Sequence, residues 1–156
     1  MTLRMDKKTA VILIGLQASG KTTFYKERLA EYVHVNLDTL HTRNKERILL
    51  TDCLERGESF VVDNTNPQKA DRERYIGEAK MRGYTVCGYY FESRVGVCLS
   101  RNESRNGKAK VPKAAVLATH KKLELPAYEE GFDELYYVRI VDDAFVVEPW
   151  KEESEE

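Results

Sequence analysis

The run Gly15-Leu-Gln-Ala-Ser-Gly20-Lys21-Thr22 sets two glycines, a lysine and a hydroxyl at the spacing G-x-x-x-x-G-K-[ST]. Glycines let a backbone wrap closely around phosphates with its N–H groups turned inward. A lysine in such a loop places positive charge on the β- and γ-phosphates, and the hydroxyl that follows can reach Mg²⁺. Nothing in an ordinary strand–turn–helix calls for a lysine there. The nucleotide-binding candidates are therefore Gly15, Gln17, Ala18, Ser19, Gly20, Lys21, Thr22 and Thr23, with ATP and Mg²⁺ as the expected cofactors and Lys21 as a catalytic charge.

Two aspartates follow short predicted strands. Asp38 closes His34-Val-Asn-Leu-Asp38, and Asp63 closes Phe60-Val-Val-Asp63 ahead of Asn64-Thr-Asn66. In an open parallel sheet, ligands gather beyond the carboxyl ends of the strands. One carboxylate placed there can take the proton of an attacking hydroxyl, and a second can hold Mg²⁺ or its waters. Thr22 and Asp63 are the metal candidates. The competing explanation for both aspartates is helix capping and turn chemistry.

A third signal is charge. From Arg101 to Lys122 there are seven cations and one anion, Glu103, whereas Asp142 to Glu156 holds seven acids and one lysine. Arg101 and Arg105 stand four apart, which puts them on one face of a helix. A basic helical lid over residues 101–111 would meet charge developing on a transferred phosphoryl group. The plain alternative is a solvated basic face.

These residues need a scaffold. Ala10–Ile14 reads as a strand buried on both faces, and a helix runs from Gly20 to about Leu29. Val33–Leu37, Phe60–Val62, Tyr84–Phe91 and Leu135–Val141 are further strands, with a sixth at Phe145–Val147. Helices fit Arg43–Arg56 before Gly57, Asn66 (as N-cap, with Pro67 in the first turn) to Arg82 before Gly83, a segment from Val95, and Pro112 to Leu123. The alternation predicts an α/β fold, a central parallel sheet with helices on both faces. The expected layout is a flexible N-terminus at 1–8, one domain at 9–147 and an acidic tail at 148–156.

The chain has 156 residues and a net charge of -1, so a polyanion must be met by a local patch. Cys53, Cys87 and Cys98 form no Cys-x-x-Cys pair and read as buried thiols of a reducing compartment. No export or spanning segment is evident, so a cytoplasmic protein without membrane partners is expected.

The chain resembles the kinase domain of polynucleotide 5′-hydroxyl kinases of the phage T4 and mammalian end-repair types. The resemblance rests on the phosphate loop with Phe24, on Tyr32-Val-His-Val-Asn-Leu-Asp-Thr-Leu40, and on Val61-Val-Asp-Asn-Thr-Asn-Pro67 followed by Arg74-Tyr75-Ile76. Ser100-Arg-Asn-Glu-Ser-Arg105 with Lys110-Val-Pro112 is similar to the phage lid. It implies a P-loop kinase fold, Asp38 as general base on a 5′-hydroxyl, Arg105 as lid arginine, Arg101 supporting it or flanking the adenine, and Asn64 and Asn66 beside the acceptor. Leu37 and His41 stand where relatives carry arginine, which makes His41 and Arg43 the candidates for an acceptor phosphate. The implied partners are 5′-hydroxyl ends of DNA or RNA, with a separate ligase or phosphatase acting alongside; a phosphatase domain is not expected within these 156 residues. Two other readings share the phosphate loop. A kinase of a small metabolite leaves the basic segment and Asp-Asn-Thr-Asn unexplained, and a nucleotide-dependent switch without transfer leaves Asp38 unexplained.

Overall fold

The computed structural model describes residues 7–107 and 110–152, so Lys108 of the basic segment and the ends at 1–6 and 153–156 lie outside the described residues. β1 (Thr9–Ile14) is a run of aliphatic and β-branched residues, and every residue after Thr9 is buried. It can occupy the middle of a sheet because it offers apolar side chains to both faces. β3 (Phe60–Asp63) and β4 (Thr85–Phe91) flank it in parallel, with Ile12 level with Val62 and Gly88. β2 (Val33–Val35) lies outside β3, and β5 (Glu134–Val141) outside β4, giving the order β2-β3-β1-β4-β5-β6.

The first five strands are parallel, as expected. β6 (Ala144–Pro149) runs antiparallel to β5. Asp142 and Asp143 turn the chain between them at φ 52° and 65°, the signature of a two-residue hairpin loop. β6 thus takes in Glu148 and Pro149, which the sequence reading gave to the acidic tail. Just beyond it, the Trp150 N–H donates to Leu135 O at 2.8 Å, and its ring meets Tyr90 and Tyr137 edge-on at 5.3 and 6.1 Å.

Helices cover both faces. α3 (Arg43–Arg56) and α4 (Lys69–Met81) bring Cys53, Leu54, Tyr75, Ile76 and Ala79 against one. α1 (Lys21–Arg28) brings Phe24 against the other, where it meets Tyr89, Phe91 and Phe145 at 5.1–5.3 Å between ring centres. α5 (Val95–Glu103) and α6 (Lys113–Lys122) pack Cys98 and Val116 on Leu16 of the phosphate loop. Cys53, Cys87 and Cys98 are all buried and free. No helix among the described residues is long and apolar enough to cross a membrane.

Three boundaries differ from the expectation, each for a local reason. β2 stops at Val35 because Asn36 caps a short helix, α2 (Leu37–Leu40), accepting from the Thr39 N–H at 3.1 Å. α4 starts at Lys69 and not at Asn66-Pro67. Gln68 is its N-cap, with its own N–H on Asp71 Oδ2 at 3.0 Å, and Asn66 sits before it at φ 45° with its amide turned into the core. α5 ends at Glu103, so Arg105 stands beyond the helix and not one turn along it.

Candidate active site

The phosphate loop joins β1 to α1 between the strand ends. Its first glycine donates N–H to Thr65 O at 3.1 Å, and Leu16 N–H donates to Ser93 Oγ at 3.1 Å, so the loops after β3 and β4 hold it on two sides. Gly20 is at φ 103°, and a Cβ there would come within 3.2 Å of both Ile140 and Phe145. The β5–β6 hairpin therefore packs directly beneath the loop, and only glycine fits. Beyond Gly20 the first turn of α1 carries N–H groups with no acceptor inside the helix, including those of Lys21, Thr22 and Thr23.

Lys21 is only 8% exposed. Its Nζ donates to Leu16 O at 2.7 Å and to Gly15 O at 3.0 Å, and lies 3.5 Å from Ser19 Oγ. Burial pulls its pKa from 10.5 down to about 8, and the nearby Asp63 carboxylate opposes that shift only in part. Asp63, 2% exposed at the end of β3, accepts on Oδ2 from Thr22 Oγ1 at 2.7 Å and meets His34 Nε2 at 2.8 Å. His34 is itself stacked on Tyr25 at 4.0 Å. Asn36 Nδ2 donates to the Asp63 carbonyl at 2.5 Å, tying the ends of β2 and β3 together.

A cleft of about 620 Å³ opens over these groups. Lys21, Thr22, Asp63 and Asp38 line it, with Asp38 carried on the exposed side of the capped α2 turn. Arg105 and Lys122, from the α5–α6 arm, line it too, as do Arg43 and Asn64. On the other side of the phosphate loop, a second pocket of about 350 Å³ is lined by Ala18, Gly20, Thr23, Arg101, Phe145 and again Arg105. Arg101 Nη1 lies 3.5 Å from Ala18 O. The two arginines thus meet at the phosphate loop although no shared helix face puts them there.

Two acceptor candidates are placed differently from the rest. His41 caps the end of α2 at φ 76°, is exposed, and does not line the cleft, whereas Arg43 does. Asn66 borders the cleft but is 4% exposed, with Nδ2 donating to Leu13 O at 2.8 Å. Gln17 Nε2 donates to Thr119 Oγ1 at 3.1 Å and so links the loop to α6. Ala18, at φ 65°, and Ser19, 3% exposed, complete the loop.

Several contributors are not among the candidates that residue type and spacing single out. His34 and Asn36 alternate along the end of β2 and both reach Asp63, a period-two cue visible only once that strand is known to lie beside β3. Glu46, 3% exposed on α3, accepts from Arg43, Tyr75 and Asn64. Asn102 forms a two-way pair with Val111, Nδ2 to O at 2.7 Å and N to Oδ1 at 3.0 Å, which closes the base of the basic loop carrying Arg105.

A parallel sheet with a phosphate loop after its central strand, a buried lysine in that loop, a carboxylate at the end of the neighbouring strand and a second on the turn after β2 define a P-loop phosphotransferase of the kinase type. The chain belongs to the family described as AAA domain, which matches residues 11–126. It is 32% identical over 155 residues to a bifunctional polynucleotide phosphatase/kinase of Acanthamoeba polyphaga mimivirus, covering 93% of this chain and 37% of that protein. A bifunctional polynucleotide phosphatase/kinase of Schizosaccharomyces pombe is 26% identical over 134 residues, covering 83% and 33%. The chain thus spans about a third of the length of these curated relatives. Among solved structures, a gluconokinase from Sinorhizobium meliloti superposes with a TM-score of 0.58 at 19% identity, covering 84% of this chain and 82% of that one, a likeness of fold alone.

Proposed function

We propose that the protein is an ATP-dependent polynucleotide 5′-hydroxyl kinase, moving the γ-phosphate of ATP onto the 5′-hydroxyl end of DNA or RNA. The observation that carries this reading is the cleft itself, which Asp38 lines together with Lys21 of the phosphate loop and three further cations, Arg43, Arg105 and Lys122. That arrangement suits an acceptor whose hydroxyl is accompanied by phosphates of its own. The two polynucleotide phosphatase/kinase relatives support it.

In this mechanism Asp38 accepts the proton of the 5′-hydroxyl as its oxygen bonds to the γ-phosphorus and the bond to the β-phosphate oxygen breaks, releasing ADP. Lys21 holds the β- and γ-phosphates. Arg105, between the two pockets, meets the charge that develops on the transferred group. Thr22 Oγ1 and Asp63 Oδ2, both hard oxygen donors, would hold Mg²⁺, which when bound neutralises phosphate charge. Among the described residues no cluster of three or more His, Cys, Asp or Glu could enclose a metal. Mg²⁺ keeps waters and phosphate oxygens as most of its ligands, so a hydroxyl and one carboxylate are the donors the protein would supply. The pocket beside Arg101 and Phe145 takes the nucleotide base.

The test is transfer of labelled γ-phosphate to 5′-hydroxyl DNA and RNA oligonucleotides of increasing length, at several salt concentrations, beside sugars and nucleosides. Efficiency rises over the first few nucleotides and then levels. Two or three phosphate contacts on a single strand give a slope of roughly -1.5 to -2 in log K against log salt. Equal efficiency on a sugar or a nucleoside lacking phosphate would replace this reading with a metabolite kinase.

A further inference from the structure

Glu46 is a buried carboxylate that the mechanism above does not use. It is 3% exposed and does not line the cleft. Its two oxygens receive three donors from three segments of the chain. Arg43 Nη1 reaches Oε1 at 2.9 Å, while Tyr75 OH from α4 and Asn64 Nδ2 from the loop after β3 each reach Oε2 at 2.9 Å. Arg43 Nη1 also donates to Tyr75 OH at 3.0 Å, closing the set. Burying a carboxylate is costly unless it is paired and hydrogen-bonded, and here the partners supply both.

Two of those partners line the cleft, and a third line of contact runs on to Asp38. With Nδ2 committed to Glu46, the Asn64 amide has one orientation, and its Oδ1 accepts from Leu37 N–H at 3.0 Å. Leu37 opens the α2 turn that carries Asp38. Arg43, in contrast to the buried anion, has a side chain that is 54% exposed, and only Nη1 is tied to Glu46 and Tyr75. An ion pair serving stability alone would not need its cation at a cleft wall and its anion bonded to the residue that braces the base.

We propose that Glu46 is a positioning residue that sets the acceptor half of the cleft: it aims Arg43 at the acceptor and, through Asn64 and the Leu37 N–H, fixes the turn that presents Asp38. This rests on the reading of Asp38 and Arg43 as the acceptor side. The nucleotide side, Lys21, Thr22 and Arg101, is hydrogen-bonded to groups other than Glu46.

The test is Glu46→Gln, which keeps size but cannot accept from Arg43, Tyr75 and Asn64 together, because one terminal atom becomes a donor. The expected result is about a tenfold or greater rise in the KM of the hydroxyl acceptor with a fall in kcat, and a KM for ATP within about twofold of the wild type. Adding Glu46→Gln to Arg43→Gln raises the acceptor KM by less than it does alone, as coupled partners require. Amide hydrogen exchange accelerates over residues 36–43 and 63–66 but not over 24–29, whose N–H groups are bonded within and at the end of α1. Proportional loss of all activity at unchanged KM values, or uniformly faster exchange, means that Glu46 serves only the fold and overturns the proposal. If the wild type phosphorylates no 5′-hydroxyl end, the acceptor reading fails by itself. Glu46 is then judged by the exchange pattern and by the KM of whichever hydroxyl is phosphorylated.

Discussion

Replacing Lys21 by methionine separates what the phosphate loop needs for folding from what it needs for chemistry. Burial takes the lysine from 10.5 to about 8, a differential of about 3 kcal/mol against the protonated form. The folded-state pKa is the lower one, so the penalty is fully present below about pH 8 and is relieved as pH rises from about 8 to 10.5. Across that window the unfolded chain binds more protons, and stability rises with pH. Between pH 7 and about pH 9.5 the relief amounts to about 2 kcal/mol, which for a domain of this size is about 4–8 °C in melting temperature. The methionine variant lacks this term. Buried tyrosines and the thiols of Cys53 and Cys87, whose pKa values are raised, titrate alike in both proteins, whereas the Cys98 thiol feels the Lys21 charge, so both proteins carry Cys98→Ala and the difference between them isolates Lys21. Urea and thermal melts by circular dichroism at several pH values, without nucleotide, measure it. The variant transfers no phosphate, and wild-type stability gains on it by the stated amount as pH rises. Parallel pH profiles would refute the idea that the lysine is held desolvated in the loop.

Three further outcomes are expected. Asp38→Asn lowers turnover by about 10²–10⁴-fold while ATP affinity, by calorimetry, stays within a few-fold; lost affinity at unchanged turnover would move Asp38 to the metal site. Arg105→Ala lowers kcat more than it raises acceptor KM, and the reverse pattern in steady-state kinetics would assign it to strand binding alone. Gly20→Ala, forced to φ 103° and against Ile140 and Phe145, weakens ATP binding by at least about tenfold, and an unchanged dissociation constant would show that the hairpin yields.

Much of the fold was legible because its strongest elements declare themselves locally. β1 is an unbroken apolar run, Gly57 stops α3 at φ 70°, and the phosphate loop is fixed by residue types alone. What was not legible depends on partners distant in sequence. Asn66-Pro67 has the residues of a helix start, yet Leu13 O captures the Asn66 amide and the cap passes to Gln68, whose reciprocal partner is Asp71. The direction of β6 is absent from its apolar pattern and resides in the Asp142-Asp143 turn, a weaker hairpin signal than Asn-Gly. Arg105 reaches the site through the Asn102–Val111 pair, and Glu46 has nothing around it in sequence but the i,i+3 spacing to Arg43.

The packing of Trp150 has a practical consequence. It is the sole tryptophan of the chain, it lines neither pocket, and Tyr90 and Tyr137 lie 5.3 and 6.1 Å from it. Light absorbed by those tyrosines passes to the indole most efficiently while the outer edge of the sheet is closed. The ratio of tyrosine to tryptophan emission is therefore an optical gauge of that edge, carried by the unlabelled protein. Because β6 supports Gly20 from below through Phe145, the same gauge dates the moment in refolding when the floor of the nucleotide site is laid.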